Sequence, residues 1–325
     1  MRNKNNKIGG DRKTNSHLCD LPGRPGSDEN FHSHGYTARH SSYSSRVKPR
    51  EPFRSQLEHA WAASGSLVCV GLDPLIDRLP VGVARTPAGC LAFCRTIVDA
   101  VAAHVCAFKP QAAHFGAIGG ENELAALIAH IHERHPGIPV ILDAKRGDIG
   151  STAELYAREA YVRYGADAVT VNPYLGPEGL KPFLNYEDRG VVVLCRTSNP
   201  DSAWLQEGRD ETGEPAYLRI ARASNSWSTN GNVMLVTGAT YPDEIRAIRR
   251  AAPDVPLLVP GVGTQGADVD AVIAAGLDAR GSGLVINASR SVLHASLGDD
   301  FARAARAAVI VLNEQIARAR QTSAH

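Results

Sequence analysis

No stretch of this 325-residue chain approaches the ~18 uninterrupted apolar residues of a transmembrane helix, so no membrane span and no membrane partner are expected. An excess of one charge is also missing. The 35 Lys and Arg face 34 Asp and Glu, which argues against a cationic surface built for nucleic acid. Cysteine is scarce. Six residues, at 19, 69, 90, 94, 106 and 195, are too few in a chain this long for a disulfide scaffold. Cys90 and Cys94 stand four apart in an apolar helical stretch with no second ligand pair nearby, and core packing is expected of them. His104, His114 and His130 lack metal-ligand spacing and are expected on helix surfaces or in the core. Trp61, Trp204 and Trp227 are expected to pack, and no metal site is expected anywhere.

A hydrophobic fraction of 43% is ordinary for a protein with a sizeable core. At about 150 residues per domain the length suggests two domains, but one α/β barrel of ~250 residues fits equally well. The near-zero net charge hides a split. Residues 1–52 carry ten Lys/Arg and five Asp/Glu, which leaves the remainder acidic by four. This early segment is rich in Gly, Ser and His and shows neither the helical nor the strand period, so it buries too little apolar surface to offset its ordering entropy. It has no apolar core of a secretory signal. Its basic, Ser-rich character fits a transit peptide, whereas its acidic residues do not. The expectation is a disordered extension over 1–52 and a single folded domain over 53–325.

From residue 53 onward, short apolar runs alternate with longer amphipathic stretches. The runs cover 67–73, 105–110, 140–145, 168–174, 191–198, 233–240, 257–263 and 283–289. Each is rich in β-branched residues and nearly continuous in its apolar character, as in parallel strands covered on both faces. Helical patterns fall at 87–104, 120–135, 151–164 and 243–252, with a terminal helix around 300–320. Ser151 and Glu154 have capping-box spacing, which places a helix start just after Gly150. Eight such units predict a (β/α)8 TIM barrel, with a doubly wound α/β sheet as the competitor. Polar residues gather where the runs end: Asp73, Lys109, Asp143 with Lys145, Asn172, Arg196 to Asn199, Thr240, Gly261 to Gln265, and Asn287 to Arg290. In a barrel, active sites are built at that end.

The densest chemistry lies in DAKRGDIGST, residues 143–152. Strand alternation puts Asp143 and Lys145 on one face, and Asp148 follows in the loop. Alone, such a triplet is more often a solvated ion pair. With Lys109 ending an earlier strand, four ionisable groups would form an alternating array, the kind of fixed charge through which electrostatic catalysis works. In PGVGTQG, residues 260–266, Gly261 and Gly263 let backbone N–H groups approach an anion, and Arg290 is the fork-shaped cation that a phosphate favours.

Eight motifs in order resemble the orotidine 5′-phosphate decarboxylase family, in the wording of its bacterial type 2 branch: GLDP (71–74), FKPQAAHF (108–115), DAKRGDIGSTA (143–153), VNPYLG (171–176), CRTSNP (195–200), GATYP (238–242), PGVGTQGAD (260–268) and INASR (286–290). The resemblance covers roughly residues 53–320 and implies conversion of orotidine 5′-monophosphate to UMP in the cytoplasm, with no cofactor. It implies a Lys-Asp-Lys-Asp array of Lys109, Asp143, Lys145 and Asp148. In the family the last of these reaches into the neighbouring subunit's site, as does the residue matching Thr152, so a homodimer with shared sites is expected. Asp73 matches a carboxylate on a ribose hydroxyl, Ser198 a serine on the pyrimidine, and Gln265 and Arg290 groups on the 5′-phosphate. Three alternatives stay open. A metal-dependent sugar-phosphate decarboxylase or epimerase would want a carboxylate where Lys109 stands. A Schiff-base aldolase would want a desolvated lysine free of carboxylate neighbours. A catalytically dead nucleotide-binding barrel would bind UMP without turnover.

Overall fold

The computed structural model describes residues 50–227, 230–262 and 268–323. The expected extension, up to residue 49, and two expected phosphate contacts, Gly263 and Gln265, lie outside them.

Eight parallel strands run in chain order as β1 (Val68–Leu72), β2 (Ala107–Pro110), β3 (Ile141–Arg146), β4 (Ala168–Val171), β5 (Gly190–Arg196), β6 (Val233–Thr237), β7 (Leu257–Pro260) and β8 (Leu284–Ala288). They are paired in the order β2-β1-β8-β7-β6-β5-β4-β3. Two isolated parallel bridges, Phe108 to Val140 and Gln111 to Asp143, bring β2 to β3 and close the ring. This is the (β/α)8 barrel that the sequence predicts. Five of the strands are buried at every position, which is why apolar residues dominate their sequences instead of alternating with polar ones.

The helices fall where the periodicity places them: Pro87–Val101, Glu121–Arg134, Gly150–Arg158, Pro242–Ala251 and the terminal Phe301–Ser323 among others. Thr86 starts the first of these by accepting the Gly89 N–H at 3.1 Å, with Pro87 in the first turn. The Gly150–Arg158 helix departs from expectation. It begins at Gly150 itself, whose φ of +51° suits glycine, and its N-cap Ile149 makes no side-chain cap bond. Ser151 therefore sits inside the first turn and no capping box forms. Instead, Asp148 Oδ1 accepts the Ile149 N–H at 2.9 Å.

All five described cysteines are free and buried, and burial pushes the Cys69 thiol up to about 12. His104, His114 and His130 are half-buried, and Trp61 is buried. Trp204 breaks the packing expectation: it is 88% exposed on the short helix Ala203–Gln206, whose inward contacts come from Gln206.

At the N-terminal end of the barrel the charges satisfy one another. Asp167, fully buried, accepts from Arg50 at 2.7 Å, from His132 at 2.9 Å and from the Val140 N–H at 2.8 Å. Phe53, on the helix Phe53–Ser64, seats against Gly190 at the start of β5, where a side chain on residue 190 would collide with its ring. That end is sealed. At the opposite end, Asp73 Oδ1 and Asn287 Oδ1 are buried without a hydrogen-bond partner among the described residues.

Candidate active site

Lys109 from β2 and Asp143 from β3 lie side by side at the barrel mouth. The Lys109 Nζ donates to Asp143 Oδ2 at 2.7 Å, and the two residues are 4% and 7% exposed. Lys145 Nζ donates to Asp143 Oδ1 at 2.6 Å from the solvent side, its side chain 49% exposed. Burial favours the neutral form of both Lys109 and Asp143, but their mutual attraction outweighs it. Lys109 is held above its ordinary value by Asp143 and then Asp73, and Asp143 is held far below the carboxylate range by Lys109 and then Lys145. Lys109 and Asp143 therefore stay charged across the neutral range, and Lys145 pairs with the same carboxylate from its open side.

Asp143 and Lys145 do meet on one side, but simple alternation is not what brings them there. The register with β4 shifts between Leu142 and Arg146, and Lys145 takes a φ of +47°, the only positive φ among described non-glycine residues. Such a backbone costs about 1–3 kcal/mol and persists only where its surroundings hold it. Thr170 on β4 does the holding. Its Oγ1 accepts the N–H groups of Ala144 at 2.9 Å and Lys145 at 2.8 Å, and donates to Asp143 Oδ1 at 3.0 Å. Sequence reasoning passed over Thr170, although it is the one polar residue in AVTV and so the one that a parallel core strand would not need.

Past the bulge, Arg146 turns to the opposite side, pairing with Glu159 at 2.9 Å and stacking over Tyr156 at 4.8 Å. This anchors the helix that carries Thr152. Asp148 is half-buried and Thr152 exposed, and Asp148 makes no ion pair with a described residue, so the array within one chain has three members rather than four.

The rim brings other expected residues together. Asp73 follows β1, and its buried Oδ1 has no hydrogen-bond partner among the described residues. A hydroxyl donor on a bound molecule would satisfy it. Gly71 makes room for β8: a Cβ there would lie 1.8 Å from Ser289 Oγ and 3.2 Å from Asn287 Oδ1. Asn287 Oδ1 is likewise buried and unpartnered among the described residues. Ser198, half-buried after β5, lies against Gly238, where a Cβ would come within 2.8 Å of the Ser198 backbone. Its loop is held from below by Arg196, fully buried, which pairs with Glu207 at 2.6 Å and stacks on Tyr241 at 3.8 Å. Arg290 opens the short helix after β8 and is exposed. Gly261 has a φ of +102°, a conformation that only glycine adopts easily. Asn172 caps a turn through the Tyr174 N–H and lies beside Gly147 of the loop after β3, while Thr240 is exposed.

Residues 66–307 match the profile of the Orotidine 5'-phosphate decarboxylase / HUMPS family. The chain belongs to this family. A family relative, the orotidine 5'-phosphate decarboxylase of Bordetella petrii, is 52% identical over 266 residues, which cover 81% of this chain and 98% of the relative. The one from Dechloromonas aromatica is 53% identical over 265 residues, 81% of this chain and 98% of the relative. Among solved structures, the OMP decarboxylase of Leishmania donovani superposes with a TM-score of 0.73 at 38% identity, covering 83% of this chain and 98% of that one.

Proposed function

We propose that the chain converts orotidine 5′-monophosphate to UMP and CO2, the closing step of UMP synthesis, as a cytoplasmic carboxy-lyase acting without a cofactor. The observation that carries this reading is the Lys109–Asp143–Lys145 chain, two of its members nearly sealed from water at the barrel mouth. In the reaction the bond from C6 to the carboxylate breaks and its electron pair stays on C6, in the ring plane. There the ring π-system delocalises it poorly, so stabilisation must come from fixed charge. The Lys145 ammonium supplies that charge and the proton that C6 gains as CO2 leaves. Asp143 faces the departing carboxylate, and Lys109 keeps Asp143 ionised. Asp73 accepts from a ribose hydroxyl, Ser198 contacts the pyrimidine, and Arg290, with Gly261, Gly263 and Gln265, binds the phosphate.

A divalent cation beside Asp143 would meet the Lys109 ammonium at hydrogen-bond distance, which disfavours the metal-dependent relatives. A Schiff-base role is disfavoured in the same way, since one carboxylate pairs with both lysines. Asp148 and Thr152 complete a neighbouring subunit's site in a homodimer. Ile149, Leu155, Tyr174 and Leu175, exposed by 56%, 62%, 72% and 47%, supply apolar surface on the segments beside them. Among the described residues no helix is long and apolar enough to cross a membrane. The catalytic domain is the part from residue 53 onward, with Arg50 held against it through Asp167 at 2.7 Å.

The test follows the loss of orotidine 5′-monophosphate absorbance with purified protein and EDTA present. Undiminished turnover supports the reading. Activity lost to the chelator would favour a metal-dependent enzyme, and UMP binding without turnover would favour a dead barrel.

A further inference from the structure

We propose that Thr170 is a positioning residue for the decarboxylation, setting Asp143 and Lys145 against each other through one hydroxyl. The inference rests on the reading of Lys145 as proton donor. A threonine hydroxyl has one proton to give and two lone pairs to accept with. Here all three are used on the same short segment. The proton goes to Asp143 Oδ1 at 3.0 Å, and the lone pairs take the N–H groups of Ala144 at 2.9 Å and Lys145 at 2.8 Å.

Each contact has a separate consequence. The two N–H groups belong to the bulge where β3 leaves register with β4, so neither is spent on the regular strand ladder. Thr170 replaces that ladder with a side chain. By gripping the Lys145 N–H it fixes the left-handed backbone, φ +47°, that sends the lysine back toward Asp143 while Arg146 goes to the outer helix. By donating to Asp143 Oδ1 it fixes the carboxylate plane from the side opposite Lys109, which holds Oδ2. Asp143 Oδ1 is also the oxygen that Lys145 Nζ contacts at 2.6 Å. One buried hydroxyl, 1% exposed as a residue, thus sets both the backbone origin of the proton donor and the oxygen it leans on. Thr170 touches neither substrate nor reacting atoms and acts only through these two residues.

The experiment measures kcat and KM for orotidine 5′-monophosphate, UMP affinity and melting temperature in wild type, Thr170→Ser, Thr170→Val and Thr170→Cys. Serine keeps the hydroxyl, valine keeps the shape without it, and cysteine differs from serine in one atom that bonds only weakly. Because ~1 Å of misplacement costs about 100-fold in rate, valine and cysteine should lose roughly 10- to 100-fold in kcat with KM and UMP affinity within about threefold of wild type. Serine should stay within about threefold of wild-type kcat. A purely structural role would move melting temperature and affinity together with rate and would not separate serine from cysteine. Turnover by the valine or cysteine variant equal to that of serine overturns the proposal, as does a serine variant as slow as valine. If the valine variant does not fold, the serine–cysteine pair decides in the same way. Wild-type protein without turnover would instead overturn the decarboxylase reading beneath the proposal.

Discussion

Asp143→Asn keeps the side chain's shape, removes its charge, and tests whether the array is a buried ion chain. In the wild type the carboxylate accepts hydrogen bonds from Lys109, Lys145 and Thr170 at 2.7, 2.6 and 3.0 Å. Lys109, 4% exposed, would be left facing a neutral amide. Breaking one side of a buried pair costs about 3–5 kcal/mol. Lys145 is 49% exposed and water screens its share, so it adds only about 0–1 kcal/mol. For a barrel of this size, at about 2 °C per kcal/mol, the melting temperature should fall by roughly 6–12 °C. Adding Lys109→Met removes the orphaned cation and should recover most of that loss, while both variants stay inactive. The pH dependence has a defined sign. In the wild type, Lys109 is held above its ordinary 10.5, so its stabilisation is complete below 10.5 and fades as pH rises through the folded value. Asp143 is held below its ordinary 3.8, so its stabilisation is present above 3.8 and is lost as pH falls through the folded value. In Asp143→Asn, burial of Lys109 is opposed mainly by Asp73, its value drops, and the deficit should shrink as pH rises toward 10.5. Thermal melts from neutral to alkaline pH measure all of this. A single variant that melts within about 1 °C of wild type, or a double variant no better than the single, would refute the reasoning.

Arg290→Ala should cost roughly 3 kcal/mol in kcat/KM with orotidine 5′-monophosphate, a little over ~100-fold, and almost nothing with the nucleoside orotidine. An equal penalty on both substrates would place its effect in the fold. Mixing inactive Lys145→Ala with inactive Asp148→Ala should restore about a quarter of wild-type activity, since a random mixed dimer keeps one complete site. Mixed dimers that form without activity would show that Asp148 serves its own chain. A chain beginning at Arg50 should melt like the full protein. One beginning at Phe53 loses the Arg50–Asp167 pair and should melt about 2–5 °C lower. A drop in the first chain would mean that residues 1–49 contribute to stability.

The barrel was legible because its strands carry their environment in their composition. VCVGL, and LVINA apart from Asn287, are apolar, as strands covered on both faces tend to be. The array was legible from Lys109, Asp143 and Lys145, since ionisable groups at strand ends have few structural uses. What escaped was backbone geometry. The bulge in DAKR carries no glycine or asparagine to announce a positive φ, so alternation predicted the right face for Lys145 by the wrong route. Thr170 was hidden because threonine is an ordinary strand former, and its work lies in three contacts made across strands. The failed capping box shows the same limit: Ser151 has the right spacing to Glu154, but Gly150 starts the helix one residue too early.

The closure of the ring bears on how the barrel opens. Every adjacent pair of strands shares a ladder except β2 and β3, which meet only at two isolated bridges. The Lys109–Asp143 ion pair spans that same seam. The least zipped edge of the cylinder is therefore fastened by two members of the proposed catalytic array, so amide protons flanking it should exchange earliest among the strands. A nucleotide seated across Lys109 and Asp143 would act as a clasp, slowing exchange on β2 and β3 more than on the fully laddered strands opposite. Substrate would then tighten the scaffold at its weakest joint, and a lesion at Lys109 would loosen the wall as well as silence the site.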